Sequence, residues 1–267
     1  MDCSWMQNMG GKTMDFSGAA VLVTGGTSGI GAAIARAFGD AGASVLLSGR
    51  DAERGREVAA DIADDGGTAE FVAADVTDTG ACGRLVNAVL DRFGRLDVLV
   101  NNAGIIHRAT AEETTDEQWN ETIAVNLTAA FRMSRAAIPA MRRQGGGAIV
   151  NIASDWALVG GRGGVSYCAS KGGLLLMTKA MALDHALENI RINAVCPTDI
   201  MTPMLTAEFH ATGVSEKEGL AALGESIPMG RVGMPEEVAR AVLFLASEQA
   251  SFITGIGLPL DGGVTAQ

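Results

Sequence analysis

The only tyrosine in 267 residues, Tyr167, stands four residues before Lys171 and thirteen after Ser154. The segment 165–188 (VSYCASKGGLLLMTKAMALDHALE) reads as a helix, and a step of four puts Tyr167 and Lys171 on one face of it. A free phenol titrates at about 10, too high for efficient proton exchange at neutral pH. An ammonium one helical turn away favours the phenolate and brings that pKa toward the working range. Tyrosine and lysine together thus make a general acid/base for an alcohol–ketone pair. Ser154 ends the apolar run 148–154 (AIVNIAS), so a strand presents its hydroxyl at the carboxyl edge of a sheet. Open α/β sheets bind their ligands at that edge. The small neighbours of Tyr167 (Cys168, Ala169, Ser170, Gly172 and Gly173) leave room for a ligand to approach.

Such residues need a framework, and apolar periodicity supplies one. Strand-like runs fall near 19–24, 43–48, 69–74, 96–101, 147–153, 190–196 and 255–260. Helical patterns fall near 29–41, 51–64, 79–92, 116–143, 165–188 and 235–247. This alternation predicts an α/β fold with a doubly wound parallel sheet of seven strands, Rossmann-like, in a single domain over 15–267. Residues 1–14 read as a disordered N-terminal extension. The stretch 198–230, rich in Met, Thr, Gly and charge, interrupts the alternation and reads as a substrate loop or lid.

Composition narrows the function. A net charge of −11 and a pI near 4.7 argue against nucleic acid and anionic membrane surfaces as partners. No apolar run reaches the length of a membrane span, and the first residues lack the apolar stretch of a secretory signal. Cys3, Cys82, Cys168 and Cys196 are scattered without a C-x-x-C pair or a nearby histidine, so neither a metal site nor a disulfide framework is expected. Reduced thiols in a cytoplasmic protein are the expectation.

After the first strand comes 24–31 (TGGTSGIG), opening a helix at about residue 29. Gly25 permits a tight turn, Gly29 lets backbone approach a pyrophosphate, and Gly31 packs the helix on the strand. The amides at the helix start then face the negative charge. The expected contacts in this loop are Gly25, Thr27, Ser28, Gly29, Ile30 and Gly31.

This loop, the run Asn101-Asn102-Ala103-Gly104, the set Ser154/Tyr167/Lys171 and Pro197 together resemble the short-chain dehydrogenase/reductase family, over about residues 17–263. The resemblance implies an NAD(P)(H)-dependent oxidoreductase acting on a secondary alcohol or ketone such as a sugar, a polyol or a cyclic alcohol. It implies a catalytic tetrad of Asn126, Ser154, Tyr167 and Lys171, in which Asn126 holds a water that links Lys171 to a proton relay. Asp75 and Val76 would meet the adenine, and Asn102, Ala103 and Gly104 the ribose side. Lys171 would also bind the nicotinamide ribose, with Tyr167 beside it. Pro197, Ile200 and Thr202 would flank the nicotinamide carboxamide. Relatives that prefer NAD carry an acid at the end of the second strand; this chain has Ser48-Gly49-Arg50. Arginine can clamp a 2′-phosphate and stack on adenine, which favours NADP(H), with NAD(H) as the alternative.

For substrate, the expected contacts are His107, Asp155, Trp156, Thr198 and Met204. Relatives have Pro-Gly where this chain has Pro197-Thr198, so the loop over the nicotinamide differs. A 3-oxoacyl-carrier-protein reductase is the rival activity, although it needs a basic docking surface that a chain of charge −11 offers poorly. A non-catalytic NAD(P)-binding sensor or scaffold is the reading from another class. Ala- and Met-rich faces on 116–143 and 165–188 exceed what one sheet can cover, and the resemblance implies a homotetramer, with a dimer second.

Overall fold

Residues 14–266 are described in a computed structural model of the chain. Four apolar residues and Thr24, all buried, make β1 (Ala20–Thr24), and the other six strands of the sheet run parallel to it. These are β2 (Ser44–Gly49), β3 (Thr68–Ala73), β4 (Val98–Asn101), β5 (Gly147–Ile152), β6 (Ile190–Pro197) and β7 (Gly257–Leu260), in the order β3-β2-β1-β4-β5-β6-β7. Near-continuous Val, Ile and Leu is what a parallel sheet covered on both faces requires. The period of two splits the strands cleanly. Val21, Val23, Val45, Leu47 and Val100 meet Ile34, Phe38, Val238 and Val242 on one side. Leu22, Leu46, Leu99 and Ile149 meet Leu85, Val89, Met133 and Met141 on the other. The first layer carries α1 (Gly29–Asp40), α2 (Ala52–Asp64) and α9 (Pro235–Ala246). The second carries α3 (Ala81–Phe93), α5 (Ala129–Gln144) and α6 (Val165–His185).

Strand order reverses between β1 and β4, and there a cleft of about 780 Å³ opens beyond the strands' carboxyl ends. Three features depart from the sequence reading. The helix expected over 116–143 is α4 (Asp116–Ile123), a π-helical turn (Ala124–Thr128) and then α5. In that turn Ala129 N–H reaches back to Ala124 O, which adds a residue to the coil. The 198–230 insertion contains α7 (Pro203–Thr212) and α8 (Glu216–Ser226) rather than loop alone. Of the expected extension 1–14, residues 1–13 lie outside the described residues, and Met14 packs against the first core layer.

Candidate active site

The glycine loop is held by β4. Gly25 and Gly29 take φ of +64° and +51°, a region that side chains rarely adopt. Gly31 answers to space instead, since a Cβ there would stand 2.1 Å from Gly25 O and 2.4 Å from Asn102 Nδ2. Asn102 Nδ2 donates to Gly25 O (2.9 Å) and Thr24 O (3.1 Å), while its backbone N–H donates to Thr24 Oγ1 (3.1 Å). Asn102 therefore braces the loop as well as lining the cleft. Ser28 caps α1 without a side-chain bond, so the first-turn amides stay open to an anion. This cradle, too tight for a Cβ and lined by free amides, fits a dinucleotide's pyrophosphate.

At the adenosine end, Asp75 Oδ1 accepts from Thr77 N–H (2.8 Å) and Thr77 Oγ1 (2.7 Å), which holds its carboxyl below the usual range. Its Oδ2 has no protein partner among the described residues. Arg50 lines the cleft beside Asp51, an acid placed to compete for the ribose, and Arg54, a residue the sequence reading did not select. Asp51 caps α2 by accepting from Arg54 N–H (3.1 Å) and pairs with Arg54 Nε (2.6 Å). Its carboxylate is thus engaged twice within its own helix turn.

The four residues of the expected tetrad converge where β5, α6 and the π turn meet. Lys171 is buried, and its Nζ donates to Ile152 O at 2.7 Å and lies 5.6 Å from the Tyr167 ring centre. Burial lowers its pKa from an ordinary 10.5 to about 8. The expected depression of the Tyr167 pKa is not what the structure shows: desolvation pushes the phenol up to about 12. A hydrogen bond with Ser154 pulls against that rise, and the Asp155 charge adds to it. Asn126 sits in the π turn, buried, and does not line the cleft. Its Oδ1 accepts from Ile105 N–H (2.8 Å), and its Nδ2 donates to Ile105 O (2.9 Å) and Ser170 Oγ (3.0 Å). A Cβ on Gly104 would be 3.4 Å from Lys171 Nζ and 3.5 Å from Asn126 Oδ1, so both groups close on that glycine.

Beyond Tyr167 the cleft turns acidic. Ser154 Oγ donates to Asp155 Oδ1 (2.8 Å), and Trp156 N–H donates to Asp155 Oδ1 (2.9 Å) and Ser154 Oγ (3.1 Å). Asp155 is 5% exposed, and burial raises its pKa against hydrogen bonds from Ser154 and Thr198. Thr198 lines the cleft together with that carboxyl. Burial also raises Asp199, with the Asp155 charge reinforcing it and Arg108 opposing it. Arg108 stacks 4.6 Å over the Trp156 ring and pairs with Glu208 of α7. Gly161 and Gly164 also pack against the indole, where a Cβ would come within 2.1 and 2.4 Å of it. Trp156 meets Tyr167 edge-on at 5.9 Å.

Apart from Asn126, the expected contacts all line this one cleft, with a single exception. His107 is the correction: its Nε2 lies 2.9 Å from Glu121 Oε2 on α4, and the next residue, Arg108, lines the cleft in its place. In an irregular segment no period tells which of two neighbours points inward. Asp199 and Glu208 escaped notice because their positions depend on how the insertion folds back.

The family model described as enoyl-(acyl carrier protein) reductase matches residues 25–265. The chain belongs to the short-chain dehydrogenase/reductase family. It is similar to cyclopentanol dehydrogenase of Comamonas testosteroni, with 42% identity over 92% of this chain and 96% of that one. It is 40% identical to D-threitol dehydrogenase of Mycolicibacterium smegmatis, over 93% of each chain. Among solved structures, a proposed NAD(P)-dependent gluconate 5-dehydrogenase from Beutenbergia cavernae, with NADP at low occupancy, superposes with a TM-score of 0.88. That pair shares 40% identity and covers 95% of this chain and 99% of the other. This family member is therefore an NAD(P)-dependent oxidoreductase that interconverts a secondary alcohol and a ketone.

Proposed function

We propose that the chain acts on a small, neutral, polyhydroxylated alcohol or its ketone and prefers NADP(H). The observation that carries the substrate class is the acidic wall beyond Tyr167. Asp155, Asp199, Glu208 and Glu121 line the cleft, with Arg108 as the cation among them. Carboxyl groups accept from and, where protonated, donate to several substrate hydroxyls at once. The same wall repels carboxylates and the phosphate-bearing arm of an acyl-carrier substrate. A relative that acts on D-threitol supports the reading.

A nicotinamide nucleotide bound along the cleft supplies or accepts the hydride. Arg50 holds the 2′-phosphate, and Asp51, engaged with Arg54, is removed as a competitor for the ribose. Asp75 and Val76 receive the adenine, and the α1 amides hold the pyrophosphate. Lys171 has two Nζ protons left after Ile152 for the nicotinamide ribose. Pro197, Ile200 and Thr202 flank the carboxamide. Ser154 fixes the substrate oxygen beside Tyr167. A phenol with a pKa of about 12 is fully protonated at neutral pH and gives its proton readily to a forming alkoxide, a far stronger base. In oxidation the phenol first gives up its own proton to solvent, and the phenolate oxygen then takes the proton of the alcohol. Asn126 ties the Gly104 turn to α6 through Ile105 and Ser170 and so keeps Lys171 in place.

The insertion at 198–230 acts as the lid, with α7 fastened to the floor through Glu208 and Arg108. Leu176, Leu183 and Leu187 are 67%, 83% and fully exposed along α6 and its end, which supports pairing of this helix in a homotetramer, or otherwise a dimer. The described cysteines Cys82, Cys168 and Cys196 are free, in keeping with a cytoplasmic location. The test is a fluorescence titration with NADPH and NADH, then turnover on tetritols, pentitols, cyclic alcohols and an acetoacetyl thioester. Tighter NADPH binding and turnover of a polyol support the proposal. Preference for the thioester would refute the substrate class. Tyr167→Phe should lower turnover by about 10²-fold or more while NADPH still binds.

A further inference from the structure

Gly49 ends β2 at the position where a ribose-binding acid would stand, and its backbone does not require glycine. It lies in a regular strand and outside the left-handed region. What glycine supplies there is space. A Cβ at 49 would lie 2.6 Å from Thr27 Cγ2 and 3.3 Å from Thr27 Oγ1. Both backbones are tied in place by hydrogen bonds. Gly26 N–H donates to Ser48 O (2.9 Å), tying the glycine loop to β2, and Ala74 N–H donates to Gly49 O (3.0 Å) from the other side. Gly26 is itself pressed on β2, since a Cβ there would be 2.7 Å from Leu47 Cβ. Any side chain at 49 must therefore displace the Thr27 side chain, which is β-branched and restricted in χ1.

We propose that Thr27 is a cofactor-specificity residue: its γ-methyl fills the space that a side chain at 49 would enter, so no ribose-binding carboxylate can be seated at the end of β2 while threonine stands at 27. The 2′ position is then left to Arg50, a step that rests on the NADP(H) reading above. Thr27 acts by exclusion, where Arg50 acts by attraction, and specificity uses both.

The experiment is a double-mutant cycle on the full chain, comparing wild type, Thr27→Ala, Gly49→Asp and the double variant, with NADPH and NADH dissociation constants from fluorescence titration. Gly49→Asp alone should weaken NADPH by about ten-fold or more and tighten NADH by less than about three-fold. Adding Thr27→Ala should tighten NADH by about ten-fold over Gly49→Asp. Equal NADH affinity in the single and double aspartate variants would overturn the proposal. Gly49→Ala places only the Cβ, and covers the case in which the aspartate variant does not fold. Its Tm should drop in the wild-type background and recover when Thr27 is alanine; an equal drop in both backgrounds would again overturn it. A wild type that binds NADH more tightly would refute the role of Arg50, while the 27–49 coupling is still read from the cycle.

Discussion

Replacing Lys171 by methionine separates what this residue does for function from what it does to stability. Its Nζ is buried, with a pKa of about 8 against an ordinary 10.5. That difference corresponds to about 3 kcal/mol of desolvation carried by the charged form. The ammonium donates to Ile152 O at 2.7 Å, which fixes its place within that net penalty. Methionine keeps the length of the stem and removes the charge, so near pH 6.5 the variant should be at least as stable as wild type, though nearly inactive. The sign with pH follows from proton binding. Between the folded and unfolded pKa values the unfolded chain holds a proton on Lys171 that the folded protein has released. Wild-type stability therefore rises with pH through that window, and the penalty is fully present below about 8. Integrating from about pH 6.5 to about pH 9.5, wild type should gain about 2 kcal/mol relative to Lys171→Met. Urea unfolding of both proteins at the two pH values reads this directly, since groups common to both cancel to first order. A stability difference that does not change with pH, or that moves against wild type as pH rises, would refute the argument that this ammonium is desolvated.

Two further outcomes follow from the same geometry. Asp155→Asn removes a negative charge that raises the Tyr167 pKa, so the ascending limb of kcat/KM for alcohol oxidation, where activity grows as the phenol loses its proton, should move to lower pH; an unmoved limb, or one moved upward, counts against the coupling. Gly31→Ala drives a Cβ into Gly25 O and Asn102 Nδ2, and should lower the Tm by roughly 4 °C or more and weaken NADPH binding by about ten-fold; unchanged binding would remove the close approach from the account of the cradle.

Most of the fold was legible because its signals are local. Seven apolar runs at regular intervals imply a buried parallel sheet, and the observed strands differ from the expected ones by at most two residues. The helices α7 and α8 were missed because neither carries a strong apolar stripe, facing the cleft and solvent more than a core. Their caps were nonetheless written in the chain. Thr202 before Pro203 accepts from Leu205 N–H, and Ser215 accepts from Glu218 N–H. The π turn left no trace in the period, since one added residue shifts a helical face by less than the width of its stripe.

By itself the sequence determined the cradle and the residues proposed as the reacting groups. Gly25 and Gly29 take a positive φ and Gly31 stands where a Cβ does not fit, while Tyr167 and Lys171 share a helix face through a spacing of four. Both are short-range constraints, readable from neighbours in the chain. Only the tertiary structure decided the electrostatics of the site. The phenol stands at about 12 because burial outweighs its neighbours, and the Lys171 ammonium is drawn to Ile152 O, nineteen residues away. Arg108 meets Glu208 across one hundred residues, and Thr27 meets Gly49 across two loops. Desolvation and steric exclusion depend on everything packed around a group, and that surrounding exists only once distant segments have folded together.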